Sequence, residues 1–271
     1  MSETTPSPSA RPGIIIATLA LAGIVAALMQ TLVVPLIGDL PTLLGASASS
    51  TTWVITVTLL TAAIATPVAG RLGDMYGKKR LILACTAPLV LGSVVCALSS
   101  SVVPMVAGRG LQGLGMGIVP LGISLLRDVL PAQRVGSAIA LMSASMGVGG
   151  ALGLPFSAAI AENGSWRTLF WVAAGLSLVV AGMVVAFVPQ GVARVRPGRF
   201  DLVGAVGLGA GLVALLLAIS RGSDWGWASG TTISLFVGAA LVLLVWGWWE
   251  LRTRDPLVDL RVTARPLVLM T

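Results

Sequence analysis

Eight apolar runs, each long enough to cross the hydrocarbon core of a bilayer, limit what this chain can fold into. They cover residues 14–37, 52–70, 81–98, 102–125, 136–161, 169–188, 202–220 and 231–249. A helix needs about 20 apolar residues to cross that core, and helices or closed barrels alone satisfy their backbone polar groups there. Hydrophobic residues make up 56% of the chain and charged ones 10%, with a mean hydropathy of +0.98, more apolar than a soluble core requires. The expected fold class is therefore an all-α integral membrane protein. The first run is too long for a signal peptide, and no small-residue cleavage site follows it.

The charges between the runs test this count. One side collects Arg11, then Arg71, Lys78, Lys79 and Arg80, then Arg127 and Arg134, then Arg194, Arg196 and Arg199, then Arg252, Arg254, Arg261 and Arg265. The other side holds Arg167 and Arg221, while Arg109 lies inside the fourth run, so 14 of the 17 Lys and Arg share one side. The positive-inside rule then places the amino terminus in the cytoplasm and the chain, as a multi-pass protein, in the cytoplasmic membrane. A net charge of +7 would suggest nucleic acid in a soluble protein, but here the cations sit in short connections and set orientation beside membrane lipids, with no nucleic-acid partner expected.

Several chemistries are excluded. The chain has no histidine, which removes imidazole catalysis and the usual zinc sites. Cys85 and Cys96 fall within one apolar run and read as small packing residues without a disulfide. No polar segment brings together a nucleophile, a base and an orienting group, so neither an enzyme nor a cofactor or metal site is expected.

The densest charge lies between the second and third runs, in Gly70-Arg71-Leu72-Gly73-Asp74-Met75-Tyr76-Gly77-Lys78-Lys79-Arg80. So short a hinge forces its flanking helices into an antiparallel pair. Its glycines permit sharp turns or close backbone approach, Asp74 can cap a helix or pair with Arg71, and Lys78 to Arg80 can anchor the next helix at anionic headgroups. A solvated positive-inside loop would show the same composition.

Gly70-x-Leu72-x-Asp74-x-x-Gly77-Lys78-Lys79-Arg80 resembles the signature loop of the major facilitator superfamily of transporters, in the same position between the second and third spans. Arg199-Phe200-Asp201-Leu202-Val203-Gly204, opening the seventh run, and Gly222-Ser223-Asp224-Trp225-Gly226-Trp227, after it, are similar to the linker spans of the fourteen-span drug:proton antiporters. The resemblance implies a six-helix amino-terminal half of a major facilitator fold followed by two linker spans. The expected division is a disordered tail at 1–12, a six-span bundle at 13–189, a linker at 190–200, two extra spans at 201–250, and a connection at 251–271. Residues 266–271 read as the start of a ninth span too short to cross, so a fragment or truncated gene product is expected, or a tail at the interface. It further implies alternating-access export of small amphipathic compounds, a proton as coupling partner, and a carboxy-terminal half as intramolecular partner. An inactive fragment, or a sensor or scaffold that kept the fold, is the other reading.

Site candidates follow from the same comparison. Arg109 and Gln112, three residues apart on one helical face, match the family's span-four Arg-x-x-Gln-Gly pattern. A charge inside a span is costly, so Arg109 is expected either in coupling or substrate contact or as a structural arginine near the outer end. Gln30 and Thr31 are the polar pair of the first run, at a position where the related antiporters commonly have an aspartate; no carboxylate falls in the middle of any run. Together Gln30, Thr31, Arg109 and Gln112 are expected to line a central cavity. The resemblance makes Gly70, Arg71, Asp74, Gly77, Lys78, Lys79 and Arg80 a gating loop, with Asp74 pairing inside its own half here or facing water. Gly149, Gly153 and Pro155 in the fifth run only partly match the antiporter motif and are expected to serve helix packing. The tryptophans at run ends read as interface anchors.

Overall fold

The computed structural model describes residues 12–189 and 198–263. Expectations for the tail at 1–11, for linker residues 190–197 and for the stretch at 266–271 fall outside the described residues. Among the described residues, eight helices are long and apolar enough to cross a membrane: span 1, Pro12–Leu36; span 2, Ala48–Tyr76; span 3, Lys78–Leu98; span 4, Val102–Val129; span 5, Ala132–Ile160; span 6, Arg167–Phe187; span 7, Leu202–Trp225; and span 8, Gly230–Arg252. They match the eight apolar runs one for one, and the chain is a multi-pass membrane protein.

Spans 1 to 6 form one bundle. Span 1 packs against spans 5 and 6, span 3 against spans 4 and 6, and span 2 against span 4. One continuous core joins them, from Ile15, Leu19 and Met29 on span 1 through Ile82 and Leu89 to Leu121, Phe170 and Val184. Spans 7 and 8 pair with each other as a hairpin, and span 7 rests on span 2. Span 8 exposes Val237, Leu241, Leu244 and Val245. Such a face belongs against lipid tails, which are as apolar as the side chains themselves.

Three boundaries differ from the sequence reading. The charged segment 70–80 is not a loop: helix continues from Trp53 through Tyr76 and resumes at Lys78. Gly77 alone breaks it, at φ 98°, a left-handed conformation that a residue with a Cβ seldom adopts. Span 4 is two helices, Val102–Leu114 and Ile118–Val129, joined by a 3₁₀ turn over Gly115–Gly117. A Cβ at Gly115 would stand 2.7 Å from the carbonyl oxygen of Cys85, so the turn forms where glycine lets span 4 touch the span 3 backbone. Between the first two runs, span 2 begins earlier than its apolar run, with a short helix Ala48–Thr51 that the Ser47 hydroxyl caps by accepting the Ser50 amide at 3.2 Å, and another short helix, Leu40–Leu44, precedes it.

The tryptophans do more than anchor. Trp166 is buried and meets Phe170 edge to face at 6.0 Å, and Trp246 and Trp249 donate hydrogen bonds to Glu250 and Asp201. Cys85 and Cys96 are free and buried.

Candidate functional site

Glycines bring four helices close enough for one arginine to reach three of them. A Cβ at Gly108 would stand 2.6 Å from Cys96 Sγ and 2.7 Å from the Gly92 carbonyl, and one at Gly113 would stand 2.5 Å from the Thr58 carbonyl. Small residues at these crossings draw span 4 onto spans 2 and 3 at backbone contact. Arg109, one residue past Gly108, is 2% exposed. Its Nε donates to the Val54 carbonyl on span 2 at 3.2 Å, and its Nη1 donates to the Met29 carbonyl on span 1 at 2.9 Å and to Gln112 Oε1 at 2.7 Å. Gln112 Nε2 donates onward to Ser93 Oγ on span 3 at 2.8 Å, and Ser93 Oγ donates to the Leu89 carbonyl at 2.7 Å. Spans 1 to 4 are thus tied by one polar chain whose donors find acceptors inside the bundle, which offsets the cost of enclosing the charge.

A cavity of about 600 Å³ lies beside this chain, walled by spans 1, 2, 4, 5 and 7. Gln30 and Thr66 supply the polar side chains of its wall; Pro67, Met116, Pro120 and Met146 are among the apolar ones, and Leu212 and Leu216 come from the hairpin. Gln30 Nε2 faces Met116 Sδ at 3.8 Å. Of the four residues expected to line a cavity, Gln30 is on this wall. Thr31 turns away: its Oγ1 donates to the Leu28 carbonyl at 3.2 Å, and its side chain fills the space that a Cβ at Gly153 would need. Arg109 and Gln112 are enclosed among the helices. Thr66, Pro67 and Met116 carried no sequence signal, because a lone threonine, proline or methionine in an apolar run does not reveal which face it occupies.

Gly149 and Gly153 of span 5 meet span 1. A Cβ at Gly149 would stand 2.5 Å from the Ile24 carbonyl, and Ser157 Oγ donates to the Leu32 carbonyl at 2.7 Å. Pro155 lies within the helix on an exposed face.

At the basic end, the charged segment is braced inside the bundle. Lys78 is buried; its Nζ meets Asp128 on span 4, donates to the Ser124 carbonyl at 3.3 Å and lies 3.7 Å from Asp74. Lys79 Nζ donates to the carbonyls of Val185, at 3.0 Å, and Val188, acceptors that the end of span 6 leaves unpaired. Arg71 Nη2 reaches Asp255 beyond span 8 at 3.7 Å and the Arg199 carbonyl at 3.5 Å. Gly73 packs on Leu121 of span 4, Gly70 has open space beside it, and Arg80 is exposed. At the opposite end Arg221 joins the hairpin to span 2: Nη1 donates to the Ser49 carbonyl at 2.9 Å and to Asp224 at 2.7 Å, and its guanidinium stacks on Trp53 at 4.4 Å.

The family model of the Major Facilitator Superfamily matches residues 19–249. The chain belongs to this superfamily. This major facilitator chain is 31% identical over 261 residues to an uncharacterized MFS-type transporter of Mycobacterium tuberculosis, covering 95% of the chain and 37% of that protein. It is 30% identical to a probable actinorhodin transporter of Streptomyces coelicolor, over 74% of the chain and 35% of the relative. It is also 30% identical to the probable multidrug resistance protein EmrY of Escherichia coli, over 80% and 43%. It therefore spans well under half the length of these relatives, and it resembles the drug:proton antiporter branch of the superfamily. Among solved structures, the POT family transporter PepTSo has the same fold over 94% of the chain and 57% of its own, with a TM-score of 0.63 at 17% identity. The proton:xylose symporter XylE gives a TM-score of 0.61 at 16% identity, over 89% and 53%. The family is one of transporters, and the chain is not an enzyme.

Proposed function

We propose that this chain forms the cargo-facing bundle and linker hairpin of a secondary transporter that exports small amphipathic compounds by alternating access in exchange for protons. The observation that carries the reading is the cavity of about 600 Å³, whose wall is apolar except for Gln30 and Thr66. A mostly apolar hollow with a few polar groups suits a drug-sized amphipathic molecule. Relatives named as a probable actinorhodin transporter and as multidrug resistance proteins support that cargo class. Proton exchange rests on the family resemblance.

In this reading the multi-pass chain lies in the cytoplasmic membrane with its amino terminus and basic end in the cytoplasm. Gln30 contacts cargo, and the Arg109–Gln112 chain keeps spans 1 to 4 moving as one body. Gly70 to Arg80 braces the cytoplasmic ends and faces a second six-span half, the intramolecular partner that alternating access requires.

The test is uptake into vesicles carrying the full open reading frame under an imposed pH gradient, with cationic amphipathic dyes as probes. Accumulation that collapses with the gradient, and a raised KM in Gln30→Ala, are expected. Accumulation indifferent to the gradient would sink proton exchange; no accumulation of any probe would sink the export reading.

A further inference from the structure

Two carboxylates face each other at the basic end of the hairpin. Asp201 is 8% exposed and Glu250 3%. Asp201 caps span 7, its Oδ1 accepting the Gly204 amide at 2.8 Å, and its Oδ2 accepts Trp249 Nε1 at 3.1 Å. Glu250 Oε1 accepts Trp246 Nε1 at 3.0 Å, while its Oε2 is buried with no hydrogen-bond partner. Gly204 lies between the two. A Cβ there would collide with Asp201 Oδ2 and stand 2.5 Å from Glu250 Oε1, so these oxygens lie within about 5 Å of each other.

The charged groups around them do not neutralise the pair. Arg71 is engaged by Asp255, and Arg252 stacks on Trp248. Arg199 and Arg254, with Asp255, line a polar cavity of about 490 Å³ that Asp201 also lines, and among the described residues no cation forms an ion pair with Asp201 or Glu250. From the segment after span 8, the Leu257 and Val258 backbone hydrogen-bonds the Glu250 carboxylate, and Oε2 is left without a partner. Two desolvated anions at this separation, without a cation, are costly to hold together. A proton held by the pair removes one of the two charges.

The geometry points to Asp201 and Glu250 as a proton-binding site in which the two carboxylates share one proton taken up through the polar cavity beside Asp201. The site sits on the linker hairpin, apart from the cargo cavity, and stands whether or not export is proton-driven. Asp255 walls the same cavity and holds Arg71, so the charge of the pair acts beside a contact between the hairpin and the signature segment.

Infrared difference spectra of the chain in lipid nanodiscs, recorded between pH 6 and pH 8, test this. Ordinary carboxyls have already ionised near pH 4 and stay silent in that window. One protonated-carboxyl C=O band that outlasts those of the ordinary carboxyls is expected, lost in Glu250→Gln and displaced in Asp201→Asn. Both amides keep an acceptor for the indoles, and near-UV circular dichroism checks the tryptophan packing. A wild-type spectrum without such a band, or a band that survives Glu250→Gln, overturns the site. A band that Asp201→Asn leaves in place puts the proton on Glu250 alone and overturns the pair.

Discussion

Arg109 donates to Gln112 at 2.7 Å and, through the same nitrogen, to the Met29 carbonyl at 2.9 Å, so one side chain fixes its own helix and the neighbouring first span together. Acceptors on spans 1 and 2 and on Gln112 surround the guanidinium. Arg109→Met leaves the Met29 carbonyl and Gln112 Oε1 without this donor, while the Val54 carbonyl keeps the Thr58 hydroxyl at 3.2 Å; a buried polar group left unsatisfied costs about 1–3 kcal/mol. Thermal unfolding in detergent should show a large loss of stability, with Gln112→Leu losing less. An Arg109→Met protein as stable as the wild type would refute this bracing role.

Gly113 and Gly147 provide a matched pair. A Cβ at Gly113 would press on Thr61 and the Thr58 carbonyl, whereas one at Gly147 has nothing within 4 Å. Gly113→Ala should therefore destabilise by about 1–3 kcal/mol through overpacking, and Gly147→Ala should leave the melting temperature unchanged. Equal melting temperatures for the two variants would contradict the close crossing of spans 2 and 4.

Lys78 has two acidic neighbours of unequal value. Asp128 forms a close hydrogen-bonded pair with it, while Asp74 lies 3.7 Å away with 38% of its side chain exposed. Exposed pairs contribute at most about 1 kcal/mol, and enclosed, hydrogen-bonded ones contribute more. Double-mutant cycles by denaturant unfolding should give a larger coupling for Lys78 with Asp128 than with Asp74. The reverse order would assign the brace to the wrong carboxylate.

Orientation can be read directly. The basic end carries Arg254 and the opposite end carries Ala46, between two short helices. Cysteines placed at these two positions in a background lacking Cys85 and Cys96 should label from opposite sides of intact cells with an impermeant maleimide: Ala46→Cys from outside and Arg254→Cys only after permeabilisation. Labelling of both from one side would break the assigned alternation.

The linear chain determined the number of spans and the family, because crossing hydrocarbon requires length and apolarity, and both are local properties that neighbouring residues carry together. It also located the charged segment 70–80, though not its helical form, which depends on one glycine at φ 98° and on side chains packed from span 4. What the sequence left open was facing. A helix apolar on every side gives no periodic sign of which residue meets lipid, cavity or another helix. Arg109 and Gln112 therefore read as cavity residues until folding enclosed them, while Thr66 and Met116 took places on the wall. The partners of the charges were equally hidden: Asp128 lies 50 residues from Lys78, and Asp255 reaches Arg71 from beyond span 8. Only the packing of helices across glycines decided those pairings, since it sets which distant side chains share a few ångströms of space.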